Sequence, residues 1–226
     1  MITIGRRVYG LGAIALGIVE LRYGAFAQGW LPVPAHLGGY PILLDVAAGL
    51  LILAGLAINL PRIAPIAALA LAALFAAGML AFEAPIAAAK PATWVNWQAI
   101  AESTAMALGG VLAWAQLSRA EAPRARQIAR FARLAFGVCL IVFGISHFVY
   151  AKFTASLVPH WLPPSQMFWT WATGAAQLAA GLAMLSGVKA RLAAVLLTVM
   201  YAAFSLLVHI PSVIADPTSH ENWAEN

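Results

Sequence analysis

The chain has 226 residues, of which 63% are hydrophobic and 9% are charged, with a mean hydropathy of +0.86 and a formal net charge of +5. Soluble domains carry about 25% charged residues, so this composition excludes a soluble fold and predicts that the bilayer surrounds most of the chain. The basic residues stand in short polar breaks rather than on one face of a soluble domain, which argues against nucleic-acid binding. The single cysteine, Cys139, excludes an intrachain disulfide and any cysteine-rich metal or iron–sulfur site.

Seven apolar stretches are long enough to cross a membrane as helices, since one crossing takes about 20 mostly apolar residues. The predicted spans are residues 6–27, 38–59, 62–88, 97–117, 130–153, 166–187 and 190–214. They are rich in Ala and Leu and lack the alternation typical of transmembrane β-strands. The sequence therefore predicts an all-α, multi-span membrane bundle.

Basic residues occur at alternate ends of these spans. They are Arg6, Arg7, Arg62, Arg119, Arg124, Arg126, Arg130, Arg133, Lys189 and Arg191. The positive-inside rule places such ends in the cytoplasm. We therefore expect a bacterial inner-membrane protein with a cytoplasmic N-terminus and with the C-terminus of this chain outside. Most tryptophans lie at the opposite ends, as expected of residues that favour the headgroup region.

The two halves of the sequence resemble each other, which indicates an internal duplication. The matching segments are 6–26 with 133–153, 45–55 with 177–187, and 83–97 with 209–223. Matches among Ala and Leu arise easily by chance. Paired residues of rarer types at constant spacing do not arise easily by chance. Asn96 and Trp97, for example, align with Asn222 and Trp223.

The duplication predicts a domain organisation of two parallel repeats. Residues 1–118 form a first unit of four spans, residues 119–129 a basic cytoplasmic linker, and residues 130–226 a second unit of three spans and an outer tail. A four-span unit returns to its starting side, so the repeats are related by an axis along the membrane normal. The second unit has no counterpart of the fourth span, so we expect an eighth span in a longer form of the chain.

The segment FGISHFVYAKFTASLVPHWLP, residues 143–163, resembles the first-helix signature of DoxX-like membrane proteins. Its matching elements are a Gly before a His-Phe pair, an aromatic residue shortly after it, and then Val-Pro and Trp-Leu-Pro. The resemblance implies four-helix units. It also implies a link to the membrane subunits of thiosulfate:quinone oxidoreductases, which some family members resemble. The first copy departs from the signature, with Glu20 and Leu21 in place of His and Phe.

Four ionisable residues stand out among those inside the predicted spans, where a charge costs about 2.5–3.5 kcal/mol at the helix centre and so marks a functional candidate. In the alignment Glu20 is equivalent to His147, and Glu83 is equivalent to His209. All four lie late in outward-running spans. They predict a proton-relay or ligand-binding site in the outer leaflet, where a histidine accepts a proton from a quinol. Further candidates nearby are Glu102, Tyr150, Trp161 and Trp169.

Several alternatives remain open at this level. His147 and His209 are also candidates for metal or non-covalent haem ligands, whereas covalent haem is excluded because there is no C-x-x-C-H motif. The same polar residues also fit a transporter or pore for a small solute, or a scaffold in which they only brace the bundle. No motif of a stand-alone enzyme occurs. If the protein takes part in catalysis, we expect a quinone-binding membrane subunit that acts with a redox partner or as a homo-oligomer.

Overall fold

The computed structural model describes residues 2–118 and 122–225, and within them all regular secondary structure is helical, as predicted. The α-helices are α1 Ile2–Tyr23, α2 Tyr40–Ala57, α3 Ala64–Gly78, α4 Ala84–Ala89, α5 Trp94–Leu117, α6 Ala122–Val149, α7 Ala151–Leu157, α8 Gln166–Ser186, α9 Ala190–Phe204, α10 Ile210–Ala215 and α11 His220–Glu225. Two π-helical segments, Met79–Glu83 and Ser205–His209, join α3 to α4 and α9 to α10. A helix thus covers each of the seven predicted segments.

Four helices in the described residues are long and apolar enough to cross a membrane. They are Tyr40–Ala57, Ala64–Ala89, Pro123–Val149 and Ala190–Ala215. Large apolar side chains point away from the protein on each of them, such as Ile42, Ile66, Val138 and Val199. An apolar outer surface is what lipid requires, so these features define a helical membrane protein.

Glycines lie at the contacts of the closely packed helix pairs. A Cβ atom added to Gly10 of α1 would lie 2.7 Å from the carbonyl oxygen of Gly55 on α2. A Cβ atom added to Gly181 of α8 would lie 2.9 Å from the carbonyl oxygen of Gly137 on α6. Small residues let the backbones of membrane helices approach closely, and here they hold α1 against α2 and α6 against α8.

Helix α5 connects the two halves of the molecule. It packs against α3 on one side and against α6 on the other. Ala101 and Leu108 of α5 share a buried cluster with Ala132 and Cys139 of α6. The side chains of α5 are therefore divided between an environment formed by the first half and one formed by the second.

The predicted basic linker, residues 119–129, is largely helical. Helix α6 already begins at Ala122, eight residues before the predicted start of the fifth span, and residues 119–121 lie outside the described part. Pro123 fits the first turn of a helix, where its missing N–H has no intrahelical acceptor. Exposed arginines such as Arg124 and Arg126 extend this helix beyond its apolar part, because their side chains favour water.

Each π-helical segment ends at one of the candidate site residues. Met79–Glu83 ends two residues before Pro85, and Ser205–His209 ends two residues before Pro211. A proline inside a helix has no N–H to donate, and its ring clashes with the carbonyl four residues earlier. A locally wider turn relieves that clash. Single π-helical turns are frequently found at functional sites.

Candidate functional site

Glu83 is held at the end of the first π-helical segment by a serine from α5. Its side chain is 2% exposed, and its Oε1 accepts a hydrogen bond of 2.6 Å from Ser103 Oγ. Ser103 is itself buried. The other carboxyl oxygen of Glu83, Oε2, is buried and has no hydrogen-bond partner among the described residues. One oxygen of this carboxyl group is therefore hydrogen-bonded, and the other is not.

Glu20 lies near the end of α1, beside a small, partly open cavity that we call the Glu20 cavity. The cavity has a volume of about 70 Å³, and its lining includes Glu20, Trp30, Phe75, Ser103 and Met106. Glu20 is 3% exposed, and its Oε2 has no hydrogen-bond partner within the described chain. The serine that binds Glu83 therefore faces the same cavity as Glu20, and this brings the two predicted carboxyl groups of the first half to one place.

Trp30 is another lining residue of the Glu20 cavity that has an unpaired polar atom. It follows α1 in the loop, and its indole Nε1 is buried without an acceptor in the part of the chain that the structure describes. Polar atoms without a hydrogen-bond partner are costly to bury. Two residues that line the Glu20 cavity, Glu20 and Trp30, therefore each bury one unsatisfied atom, an acceptor and a donor respectively.

His147 lies two residues before the end of α6 and is half-buried. Its Nδ1 is 2.9 Å from the carbonyl oxygen of Phe143, one turn earlier. A carbonyl oxygen only accepts, so Nδ1 carries the proton, and Nε2 of the neutral ring has a free lone pair. Of the two ring nitrogens, Nε2 is the one available to a ligand.

His209 ends the second π-helical segment and interacts with the last helix of the chain. Its Nδ1 lies 3.9 Å from Glu225 Oε2 of α11, which makes an ion pair when the imidazole is protonated. Burial and the neighbouring Glu221 carboxylate raise the pKa of Glu225 above its ordinary range. His209 thus has a carboxylate near it, whereas its counterpart Glu83 has a serine.

Two further candidates lie where α5 meets the second half. Glu102 is half-buried, and its Oε1 accepts a hydrogen bond of 2.9 Å from Gln98 Nε2, one turn earlier. The Tyr150 hydroxyl accepts a hydrogen bond of 3.1 Å from the backbone N–H of Val95 at the start of α5. Tyr150 therefore fixes the junction of α5 with α6 and α7.

The two candidate tryptophans lie apart from this site. The side chain of Trp161 is 70% exposed in the loop before α8. Trp169 donates from Nε1 to the carbonyl oxygen of Pro163 at 2.8 Å, and its ring packs edge-to-face on Phe168. Both contacts of Trp169 are local, as expected of an anchor at the membrane interface.

The structure adds partners that the sequence analysis did not include. Ser103 and Trp30 join Glu20 and Glu83, and Trp94 Nε1 donates to Ser146 Oγ at 2.8 Å beside His147. The spacing of Ser103 one residue after Glu102 carries no signal of its role, because the serine is ordinary in a membrane helix. Trp30 is one of the tryptophans that the sequence places at the outer membrane interface, and that pattern does not predict a place beside Glu20.

The candidate residues do not assemble into one cluster. His147 and His209 have different partners, Phe143 and Glu225. Within residues 2–118 and 122–225, no three side chains of His, Cys, Asp or Glu are placed to hold a metal ion together. The carboxyl groups of the first half and the imidazoles of the second half thus form separate parts of the candidate site.

Fold and site together define a helical membrane protein with buried ionisable groups near its helix ends. A family model described as a domain of unknown function (DUF8561) matches residues 134–222. The match begins in α6 and ends in α11, so it covers His147 and His209 but neither Glu20 nor Glu83. No curated protein and no solved structure matches the chain.

Proposed function

We propose that the chain is a seven-span membrane protein of two parallel DoxX-like units. In this proposal the N-terminus is in the cytoplasm of a bacterium, and the outer membrane face carries the site. Four spans are supported by length and apolar composition. The remaining three are α1, α5 and α8, which have 22, 24 and 21 residues, or roughly 30 Å or more at 1.5 Å per residue.

Matching local structures support the proposed duplication. Trp97 Nε1 donates to the carbonyl oxygen of Pro91 at 2.9 Å, and Trp223 Nε1 donates to that of Pro217 at 2.9 Å. The π-helical segments that end at Glu83 and His209 form a second matched pair. Proline, tryptophan and the wide turn thus recur together in the segments that the sequence alignment pairs.

We infer that the protein is a quinone-interacting, redox-associated membrane component that exchanges protons at its outer face. The observation that carries this inference is the pair of buried carboxyl groups, Glu20 and Glu83, each with an unpartnered oxygen. A quinol gives up two protons when it gives up two electrons, so a quinol site needs proton acceptors. Buried carboxyl groups inside a membrane are typical of proton relays.

The ring of a quinone does not fit in the Glu20 cavity. A volume of about 70 Å³ is far below the roughly 300 Å³ at which pockets for larger organic ligands begin. The proposal therefore places the headgroup against His147, whose Nε2 is free to accept a quinol proton. A partner subunit that receives the electrons completes the reaction.

Transport of a small solute is the second candidate function. One observation favours it, namely the meeting of ionisable groups from separate elements, His209 and Glu225, near α5. A transporter would use such groups along a polar path between the two halves. Under this alternative Glu102, at the same junction, would line the path as well.

Quinone bound to purified protein is the direct test. Lipid-free protein is extracted with organic solvent, and quinone is measured per mole of wild type, His147→Ala and His36→Ala. His36 is exposed in a loop and is the matched control. We expect wild type and His36→Ala to retain quinone and His147→Ala to lose most of it. Equal quinone in all three proteins, or none in the wild type, would count against the proposal.

A further inference from the structure

Helix α9 exposes a face that its counterpart α3 buries. The two helices, and the π-helical segments and short helices that follow them, begin and end at aligned residues. Of the most apolar 18-residue stretch in the span that contains α3, 22% is buried, against 6% in the span that contains α9. Ala68 and Ala72 of α3 are buried. Their counterparts on α9, Ala194 and Thr198, are exposed.

The same difference separates α6 from its counterpart α1. Cys139 of α6 is 4% exposed and Ala135 packs beside it, in the cluster that α6 forms with α5. The aligned residues of α1 are Gly12 and Val8. A Cβ atom added to Gly12 would meet nothing within 4 Å beyond its own helix backbone, and Val8 is 62% exposed. Helix α5 accounts for both differences, because it packs against α3 and against α6.

Helix α11 corresponds to the first turn of α5. Asn96 and Asn222 each donate from Nδ2 to the carbonyl oxygen six residues earlier, at 3.2 and 3.5 Å. Tyr150 bonds to the start of α5, and its counterpart Tyr23 stacks on His220 at the start of α11. Helix α11 packs against α1 and α10, so it lies at one end of a groove between the open faces of α1 and α9. We call this the α1–α9 groove, and its lining includes Val8, Gly12, Ala194 and Thr198.

We propose that the α1–α9 groove binds one further transmembrane helix, which continues from α11 and runs antiparallel to α1 and α9, as α5 runs between α3 and α6. This inference rests on the two parallel units of the proposed function and does not depend on quinone. It gives the expected eighth span a place, a direction and a set of contacts. A helix of a separate chain fits less well, because α11 already occupies the position of the first turn.

The packing of α5 indicates which residue the further helix needs where it crosses α9. A Cβ atom at Gly110 of α5 would lie 2.5 Å from the carbonyl oxygen of Ala68, so the two backbones meet there. Ala194 is the aligned residue on α9 and is exposed. Only a small residue opposite Ala194 allows the same close approach.

The further helix also completes the second half of the candidate site. Ser103 of α5 reaches across to bind Glu83 at the end of the first π-helical segment. The corresponding residue of the further helix lies beside His209, at the end of the second π-helical segment. Each half of the site then takes one side chain from the last helix of its unit.

Photolabelling from the lipid tests the groove. A phospholipid with a diazirine in its acyl chain is activated in nanodiscs, and the labelled residues are identified by mass spectrometry. The 226-residue chain is compared with a chimera in which residues 101–117 of α5 follow residue 226, which continues α11 in the register of α5. We expect Thr198 and Val8 to be labelled in the first protein and protected in the second. Val199 is 64% exposed on another face of α9 and is the control that stays labelled in both.

A second chimera tests the contact itself. Gly110→Leu in the appended copy should restore the label at Thr198, because the larger side chain prevents the close approach to α9. Label at Thr198 that is equal with and without the appended helix would overturn the inference, and so would protection that survives Gly110→Leu.

The 226-residue chain alone provides a test that does not depend on how the chimeras fold. Its Thr198 should be labelled, and the aligned Ala72 should not. Protection of Thr198 that is lost when each nanodisc holds a single copy would show that a second copy fills the groove, and this would overturn the inference. Protection by the appended helix in a protein without quinone would refute the quinone proposal alone. Bound quinone with an unprotected groove would refute only this inference.

Discussion

Ser103 on α5 and Glu83 at the end of a π-helical segment are joined by a buried hydrogen bond of 2.6 Å. The bond connects α5 to the wide turn that precedes Pro85. Because Ser103 also lines the Glu20 cavity, this pair is where helix packing and the candidate chemistry meet.

Ser103→Ala is expected to destabilise the protein. Removing the donor leaves Glu83 Oε1 unpaired in a buried place, which costs about 1–3 kcal/mol. Ser186→Ala is the matched control, because Ser186 is exposed and bonds only within its own helix and the following turn. Unfolding in a detergent titration measures both variants. Equal stability of the two would show that the Ser103–Glu83 bond contributes nothing.

Gly110→Ala is expected to separate α3 from α5. A Cβ atom at Gly110 would lie 2.5 Å from the carbonyl oxygen of Ala68 and 2.9 Å from the Cβ atom of Ala72. Overpacking of this kind costs about 1–3 kcal/mol. Gly12→Ala is the control, since no atom lies within 4 Å of its added Cβ. Thermal unfolding should show a loss for the first variant and none for the second, and similar curves would contradict the packing described.

The docking of α11 is expected to weaken as the pH rises. Glu221 accepts from the backbone N–H groups of Gln28 and Gly29 at 2.9 and 3.2 Å, which holds α11 against the loop after α1. The pKa of Glu225 is raised by burial and by Glu221. The docked form therefore keeps this proton to higher pH than the undocked form, and docking loses stability as pH rises above about 4.5, the ordinary value for glutamate.

Hydrogen exchange at the Gln28 and Gly29 amides, corrected for intrinsic rates, follows this docking. We expect protection to fall with rising pH in the wild type and to vary less in Glu225→Gln. An increase of protection over the same interval, or no difference between the two proteins, would contradict the assignment to Glu225.

The proposed topology predicts opposite labelling of two loops. In a Cys139→Ala background, Arg126→Cys should react with a membrane-impermeant maleimide only after permeabilisation. Lys90→Cys should react in intact spheroplasts. Both native side chains are exposed, so access depends on the side of the membrane alone. Labelling of both positions from one side would refute seven spans with a cytoplasmic N-terminus.

The sequence was sufficient to predict where the helices lie, but not at which residues they begin and end. Apolar length located each helix, because a span needs about 20 such residues. It placed the start of the fifth span at residue 130, whereas α6 begins at Ala122. Because of arginines such as Arg124, the sequence predicts a polar linker at this place. The helix instead continues through these residues, and the arginine side chains are exposed to water.

The ionisable residues of the candidate site could be predicted from the sequence, but the residues that surround them could not. Glu20 and Glu83 stood out because a carboxyl group is rare inside an apolar run, and both are buried. Their environment depends on which residue of α5 faces the first half, and neighbouring Glu102 and Ser103 differ in that respect. Periodicity in a uniformly apolar helix does not fix this rotation, so Ser103 and Trp30 could be identified only from the packed structure.

A redox-triggered infrared difference spectrum of the protein in nanodiscs with a short-chain quinone decides whether Glu20 and Glu83 exchange protons with a quinol. We expect reduction and oxidation of the quinone to change the protonation of a carboxyl group. The corresponding band should disappear in Glu20→Gln and in Glu83→Gln, and it should persist in the control Glu221→Gln, whose carboxylate binds the loop after α1 instead. A difference spectrum without any carboxyl band, or with one that survives both replacements, would contradict the claim that these glutamates exchange protons with a quinol.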